Sequence, residues 1–254
     1  MKRRSLKTMA MFIIAAVTGL LFACKPNAPE EPKYEYDVYV AGWYEGDKAI
    51  LWKNSEPEEL TDGKNESFVR SIFVAGSDVY VAGVEKNKQN KFVAKLWKNG
   101  KPKELTDGKN TASARSVFVA DGNVYVAGYD GMQAILWKNS EPEELTDVKN
   151  DALANSVFVA GSDVYVAGAE LKDDIIVAKL WKNSKVKDLE SYQGAEAYSV
   201  FVAGSDVYVV GLVHKEGQGV AMLWKNGEPT ELTDGKEDAG AFSVFVVRRE
   251  VEKK

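Results

Sequence analysis

Apolar residues fall along this chain in short runs, and the runs come in a fixed order. The eleven residues FVAGSDVYVAG occur at 73–83 and again unchanged at 158–168, with near copies FVADGNVYVAG at 118–128 and FVAGSDVYVVG at 201–211. Each copy holds two runs of strand length around a two-residue turn signal, which predicts a hairpin. Gly76-Ser77 suits a type II′ turn and Asp121-Gly122 a type I′ turn, and both keep one register. That register sets Phe73 opposite Tyr80, Val74 opposite Val79 and Ile72 opposite Val81, so both faces of the hairpin are apolar. A sheet with one wet face would alternate apolar and polar positions; this one needs cover on both sides.

A third run follows each hairpin and always carries a tryptophan: Trp52, Trp97, Trp137, Trp181 and Trp224. A short fourth run of the type EELT completes the unit. Five such units fill residues 37–247, and stacking small four-stranded sheets face to face buries all their apolar surface. The first unit begins at its second strand, D37VYVAG42, and the chain carries a leftover first strand, S243VFVV247, near its other end. Joined, the two complete one blade and close a ring without a free edge.

On these residues the chain resembles the β-propellers. Its strand wording is similar to NHL-type repeats and its unit number to tachylectin-like five-bladed propellers. The expected fold is therefore all-β: a five-bladed β-propeller of four-stranded antiparallel blades, the first blade closed by the C-terminal strand, over residues 37–247, with a charged tail at 248–254.

Spacing separates fixed from variable parts. Phe to Tyr across the first turn is 7 residues in all four contiguous copies, and Trp to the Leu of the fourth run is 8 in all five. Tyr to Trp runs 13, 17, 12, 16 and 16, so the connection between strands two and three absorbs the variation. In an antiparallel meander the 1–2 and 3–4 turns share one end of the blade, and the 2–3 and 4–1 loops share the other. Fixed turns and variable loops thus segregate to opposite faces, as expected of a recognition surface.

The variable loops are WYEGDK at 43–48, VEKNKQNKFV at 84–93, YDGMQ at 129–133, AELKDDIIV at 169–177 and LVHKEGQGV at 212–220. They offer Trp43, Tyr44, Tyr129, Asp130 and His214 as candidate ligand contacts, although the aromatics would equally cover a blade edge. The 4–1 loops, such as TDGKNESFVR and TDGKNTASAR, add a ring of Asp62, Asp107, Asp147 and Asp234. These are either repeated ligand pockets suited to multivalent glycan binding or plain turn formers beside solvated lysines.

The N-terminus reads differently. Lys2, Arg3, Arg4 and Lys7 precede an apolar stretch from Met9 to Phe22 that is short for a membrane span, the pattern of a secretory signal. At Leu21-Phe22-Ala23-Cys24 it resembles a bacterial lipoprotein signal, departing only in the bulk of Phe22. The resemblance implies cleavage after residue 23 and a lipid, palmitate included, on Cys24. It makes the product a membrane-anchored envelope protein, and Lys25 after the cysteine is compatible with outer-membrane sorting in enteric lipoproteins. An ordinary cleaved signal with an incidental thiol is the alternative, since Cys24 has no other cysteine to pair with. Residues 24–36 hold the anchor and a Pro-rich tether. Without residues 1–23 the chain keeps 29 basic against 38 acidic residues, a net charge of −9 that argues against nucleic acid as a partner.

Catalytic and metal chemistry find no pattern. His214 is the single histidine, there is no Gly-x-Ser-x-Gly elbow, no calcium loop and no phosphate-cradling Gly-rich loop, so no catalytic residue, metal ligand or cofactor is expected. The inner strands present Ser, Val, Phe, Val and Ala or Val, with no acid inside any of them to serve a glycosidase, although the loop acids Asp47, Glu85, Asp130, Glu170 and Glu216 remain open to that role. The reading is a monomeric, non-catalytic binding module that recognises a glycan or an envelope protein through the variable-loop face. A structural subunit of an envelope complex is the alternative, and a glycosidase-like propeller the third.

Overall fold

Strand pairing follows the predicted hairpins residue by residue. The computed structural model describes residues 34–45, 47–189 and 194–250; the signal segment 1–23, Cys24 and most of the tether lie outside them. From Asp37 the chain forms one unit of five antiparallel sheets. The first comprises β1 (Tyr39–Tyr44), β2 (Lys48–Lys53) and β3 (Glu56–Glu59). The second comprises β4 (Ser67–Ala75), β5 (Asp78–Lys86), β6 (Phe92–Lys98) and β7 (Lys101–Glu104). The third holds β8 (Ala112–Ala120), β9 (Asn123–Asp130), β10 (Gln133–Lys138) and β11 (Glu141–Glu144). The fourth holds β12 (Ala152–Ala160), β13 (Asp163–Lys172), β14 (Ile175–Lys182) and β15 (Lys185–Asp188). The fifth holds β16 (Ala195–Ala203), β17 (Asp206–Lys215), β18 (Gln218–Lys225) and β19 (Glu228–Glu231). This is an all-β fold of propeller-type blades, each a meander in sequence order.

Phe73 pairs with Tyr80, Val74 with Val79 and Ile72 with Val81, as the turn chemistry requires. Gly76 has φ 60° in the II′ version of the turn, and Asp121 and Gly122 have φ 49° and 74° in the I′ version. The turns between strands three and four are all type I′, with an asparagine first: Asn54, Asn99, Asn139, Asn183 and Asn226. Each asparagine also ties the two fixed turns together. Asn183 accepts from the amide of Val164 and donates to Asp163, both at 2.8 Å, and the other four repeat the arrangement. That clasp explains why both turns tolerate no change of length.

Four apolar layers lie between consecutive sheets. Trp97, Trp137, Trp181 and Trp224 each fill one, fully buried against the preceding sheet, where emptying such a site costs about 3–5 kcal/mol. The outer strands are exposed, four residues long, and set a proline against the tryptophan in four of five sheets, which blunts an edge that would otherwise template pairing. The repeated Leu-Thr of the fourth run is structural as well. Leu60, Leu105 and Leu189 are buried between sheets, while Thr61, Thr106, Thr146 and Thr233 accept from strand-three amides at 3.0–3.3 Å.

Two details differ from expectation. The inner strands are nine residues long and begin inside the segments read as 4–1 loops. Each passes through a β-bulge at the residue before its serine: Arg70, Arg115, Asn155 and Tyr198. A bulge breaks the period of two, so the stretch before it carries no strand pattern in the sequence. The 2–3 connections are likewise strand for most of their length, and close in two-residue turns at Gly131-Met132, Asp173-Asp174 and Glu216-Gly217. Their variation is in hairpin length.

Residues 243–247 form no ladder with β1. They stack on the fifth sheet in the place of a further inner strand: Phe245 extends the column Phe73, Phe118, Phe158, Phe201 at centroid spacings of 4.8–5.0 Å. Its far side is open, with Phe245 77% exposed, and so is β1, with Val40 51% exposed and Trp52 only half-buried.

Candidate functional site

The bulge residues meet from strand to strand. Arg115 donates from Nη1 to Asn155 Oδ1 at 2.5 Å, Asn155 donates to the carbonyl of Ala197 at 2.9 Å, and Tyr198 stacks on Phe242 at 5.1 Å between centroids. They lie near the start of the inner strands, at the end of the blades where the 2–3 hairpins turn. A cavity of about 390 Å³ opens there between the third and fourth sheets. Arg115 and Tyr129 form one wall; Leu153, Ala169, Leu171 and Ile176 make an apolar one; Asp151, Glu170 and Glu196 supply carboxylates.

Arg115 is the distinctive group. Burial pulls its guanidinium below the ordinary arginine value; Tyr129 opposes that shift and Arg70, a like charge, adds to it. Its carbon Cζ stands 5.6 Å from the centre of the Tyr129 ring, and its Nε is buried without a hydrogen-bond partner. Glu170 is held differently. Burial alone would raise its carboxyl, but Lys179 Nζ at 2.9 Å and Asn150 at 3.1 Å outweigh that and leave it below the usual range. Lys179 is itself buried and also pairs with Asp188 at 2.7 Å. Burial pushes the Tyr198 hydroxyl up to about 12, helped by its bond to Glu196.

Of the residues expected to bind a ligand, Tyr129 lines this cavity and the others do not. Asp130, its neighbour on β9, faces the opposite side of the sheet. There it meets Asp107 in a second cavity of about 270 Å³ with Thr106, Gln133 and Trp137; burial raises its carboxyl, and Oδ1 has no partner. Trp43 and Tyr44 are exposed at the end of β1, and His214 is exposed on β17 opposite Gly219. Asp62, Asp107, Asp147 and Asp234 each accept from the amide two residues on at 3.0–3.2 Å and pair with that lysine's Nζ at 2.6–3.1 Å. They build their own turns.

Arg115 on β8 and Glu196 on β16 escape a reading by motif because a bulge hides the start of each strand, and Asp151 sits just ahead of β12. One signal was present: the residue before the inner serine is Arg70 and Arg115 in two units but Asn155, Tyr198 and Phe242 in the others. Glu196 also corrects the expectation that the inner strands hold no acid, since β16 begins at Ala195. Among the described residues no group of three His, Cys, Asp or Glu side chains is placed to hold a metal ion.

The folded chain is thus a five-sheet β-propeller-type domain with a divergent, cavity-bearing end. No family model matches it, the NHL-type resemblance included, and no curated protein sequence does. Solved structures similar to it include the extracellular domains 1–2 of Drosophila Semaphorin 1b (12% identity, TM-score 0.45), over 74% of this chain and 51% of that one, so this chain spans about half its length. A thermostable family-43 glycoside hydrolase is similar at 11% identity and TM-score 0.48, over 82% and 93% of the two chains. The β-propeller domain of the Trilobed protease from Pyrococcus furiosus, described as having an open velcro topology, is similar at 13% identity and TM-score 0.48, over 79% and 65%. At such similarity the architecture rests on the strand pairing itself, and no activity passes from these proteins to this one.

Proposed function

We propose that this protein is a non-catalytic, lipid-anchored binding module of the cell envelope that recognises a glycan at the end of the blades where the 2–3 hairpins turn. The observation that carries the reading is the cavity beside Arg115, which combines apolar walls with a guanidinium and carboxylates able to bond sugar hydroxyls. It opens among the hairpins that differ most in length, while the opposite end of every blade is spent on the Asn-centred clasp. The acid–base arrangement argues for binding over hydrolysis. A glycosidase's general acid needs a raised pKa, whereas Glu170 is held below its usual range, and Asp130, whose carboxyl is raised, faces the other side of the sheet. Anchoring rests on the sequence around Cys24.

Glycan-array binding by the purified chain tests the reading, with Leu171→Trp filling the cavity. Binding that the variant loses supports it; binding to no glycan, or release of reducing sugar from a bound one, rejects it. Incorporation of a palmitate analogue that Cys24→Ser abolishes tests the anchor. The exposed Trp43 and Tyr44 favour a second reading, docking to an envelope protein. Loss of a co-purifying envelope protein on Trp43→Ser, with no glycan bound, would support that one instead.

A further inference from the structure

We infer that the ligand of the Arg115 cavity is an acidic saccharide, with one carboxylate per recognised sugar received by the guanidiniums of Arg115 and Arg70. This deepens the glycan reading above and rests on it.

Arg70 and Arg115 occupy equivalent bulge positions on β4 and β8, the inner strands of neighbouring sheets. Neither forms an ion pair among the described residues, although the chain is acidic and most of the described lysines lie beside a carboxylate. Two like charges at adjacent positions repel, and Arg115 is partly removed from water; Glu196 attracts it from across the cavity without forming an ion pair, which offsets only part of that cost. Leaving such a group unpaired is costly, and an anion bridging the two would relieve both the repulsion and the lost solvation. Arg115 has one Nη committed to Asn155, while its Nε edge is unbonded. A planar carboxylate fits the remaining fork of N–H donors.

The other walls fix the rest of the ligand. Leu153, Leu171 and Ile176 suit the apolar face of a pyranose, and Asp151 and Glu196 are acceptors for hydroxyls. Those same two carboxylates disfavour a phosphate dianion. A singly charged carboxylate with neutral hydroxyls around it matches the mixed lining. Glu170 is engaged by Lys179, which it shares with Asp188, and is not free to pair with Arg115.

The test is calorimetric titration of the full chain with oligosaccharides of galacturonic, glucuronic and mannuronic acid, each beside its carboxyl-reduced neutral counterpart, and with a sulfated oligosaccharide. At least one uronate should bind about tenfold or more tighter than its neutral counterpart, the size expected of a charge-assisted bidentate contact. Arg115→Gln should erase that preference with little change in melting temperature, and Arg70→Gln should reduce it. Arg115→Lys, which keeps the charge but loses the fork, should also reduce it, and serves if the glutamine variant fails to fold. Equal affinity for acidic and neutral forms, tighter binding of the sulfated probe, or a preference that survives all three variants overturns the inference. If neutral glycans bind at this cavity without any acidic preference, the glycan reading stands and this inference alone falls. If no saccharide of either kind binds, both fall.

Discussion

Ser199 Oγ accepts a hydrogen bond from the backbone amide of Val244 at 3.4 Å, in the place where Ser71, Ser116 and Ser156 accept from Val117, Val157 and Val200 at 3.1–3.2 Å. The serine that recurs in every unit is therefore a latch between successive inner strands. Its last use holds a segment that has no sheet of its own. Phe242 and Phe245 reinforce it through Tyr198 and Phe201.

Deleting residues 241–254 should therefore destabilise the domain although the segment forms no ladder. Two aromatic pairs contribute about 0.5–1.5 kcal/mol each beyond the area they bury, so a loss of about 1–3 kcal/mol or more is expected in urea unfolding. A truncated chain that unfolds at the same urea concentration as the full one would show that the latch holds nothing.

The I′ turns between strands three and four place serine at a second position better suited to glycine. Ser140 has φ 73°, whereas the second and fifth sheets use Gly100 and Gly227 at that position. Ser140→Gly should stabilise the protein by about 0.5–1 kcal/mol, since relief from the left-handed region outweighs the greater freedom of glycine in the unfolded chain. Asn139→Ala should cost about 1–2 kcal/mol through the loss of both clasp hydrogen bonds, to the amide of Val124 and to Asn123. Denaturant midpoints of the two variants should move in opposite directions.

Lys179 makes stability depend on pH in a defined way. Glu170 has its folded pKa lowered, so its contribution is complete above the usual carboxylate range and is lost as pH falls through the folded value. Lys179 is raised above 10.5, so its contribution is complete below that value and is lost only as pH rises beyond it. Lys179→Met leaves Glu170 in a half-dry site and should cost about 3 kcal/mol at pH 7, and less as pH falls, because burial without Lys179 favours the protonated carboxyl. The fifth sheet holds Met222 and Val213 at the two equivalent positions, both fully buried. The double variant Lys179→Met with Glu170→Val should therefore recover most of the loss, and its urea midpoint should lose the acid dependence.

Pairing, turn type and the buried tryptophans were legible because repetition tests each assignment four or five times: a register that suits Phe73 and Tyr80 has to suit Phe118 and Tyr125 too. The site was not, for a local reason. Arg115 stands where the bulge inserts a residue, and the preceding Ala112-Ser113-Ala114 is three small residues, too short to announce a strand and out of phase with the run after the bulge. Tyr129 and Asp130 were visible together as exposed-looking loop residues, but a strand sends neighbours to opposite faces, and only the pairing to Ser113 and Ala112 places each. The Asp-x-Lys turns at Asp62, Asp107, Asp147 and Asp234 stand out in the sequence by repeating, whereas the cavity draws on Tyr129, Leu171 and Ile176 from hairpins that differ between units.

The glycine that ends the repeated motif gives the sharpest test of ring closure. A methyl on Gly83, Gly128, Gly168 or Gly211 would fall on a backbone carbonyl of the paired inner strand, beside the bulge. Gly42 occupies the same place on β1, yet with no inner strand beside it a methyl there meets only the edge of Trp52, at 3.0 Å. If residues 241–247 come to pair with β1 as the other inner strands pair, the carbonyl of Gly240 takes the position that Ser113 holds against Gly128. Gly42→Ala should then cost about as much as Gly128→Ala, roughly 3 kcal/mol or more, because a backbone atom cannot step aside. With β1 unpaired the cost stays within about 1 kcal/mol, since the half-buried Trp52 ring can shift. Closure predicts matching losses in the two variants, and a Gly42→Ala protein that unfolds at nearly the wild-type urea concentration would mean that the first blade keeps three strands.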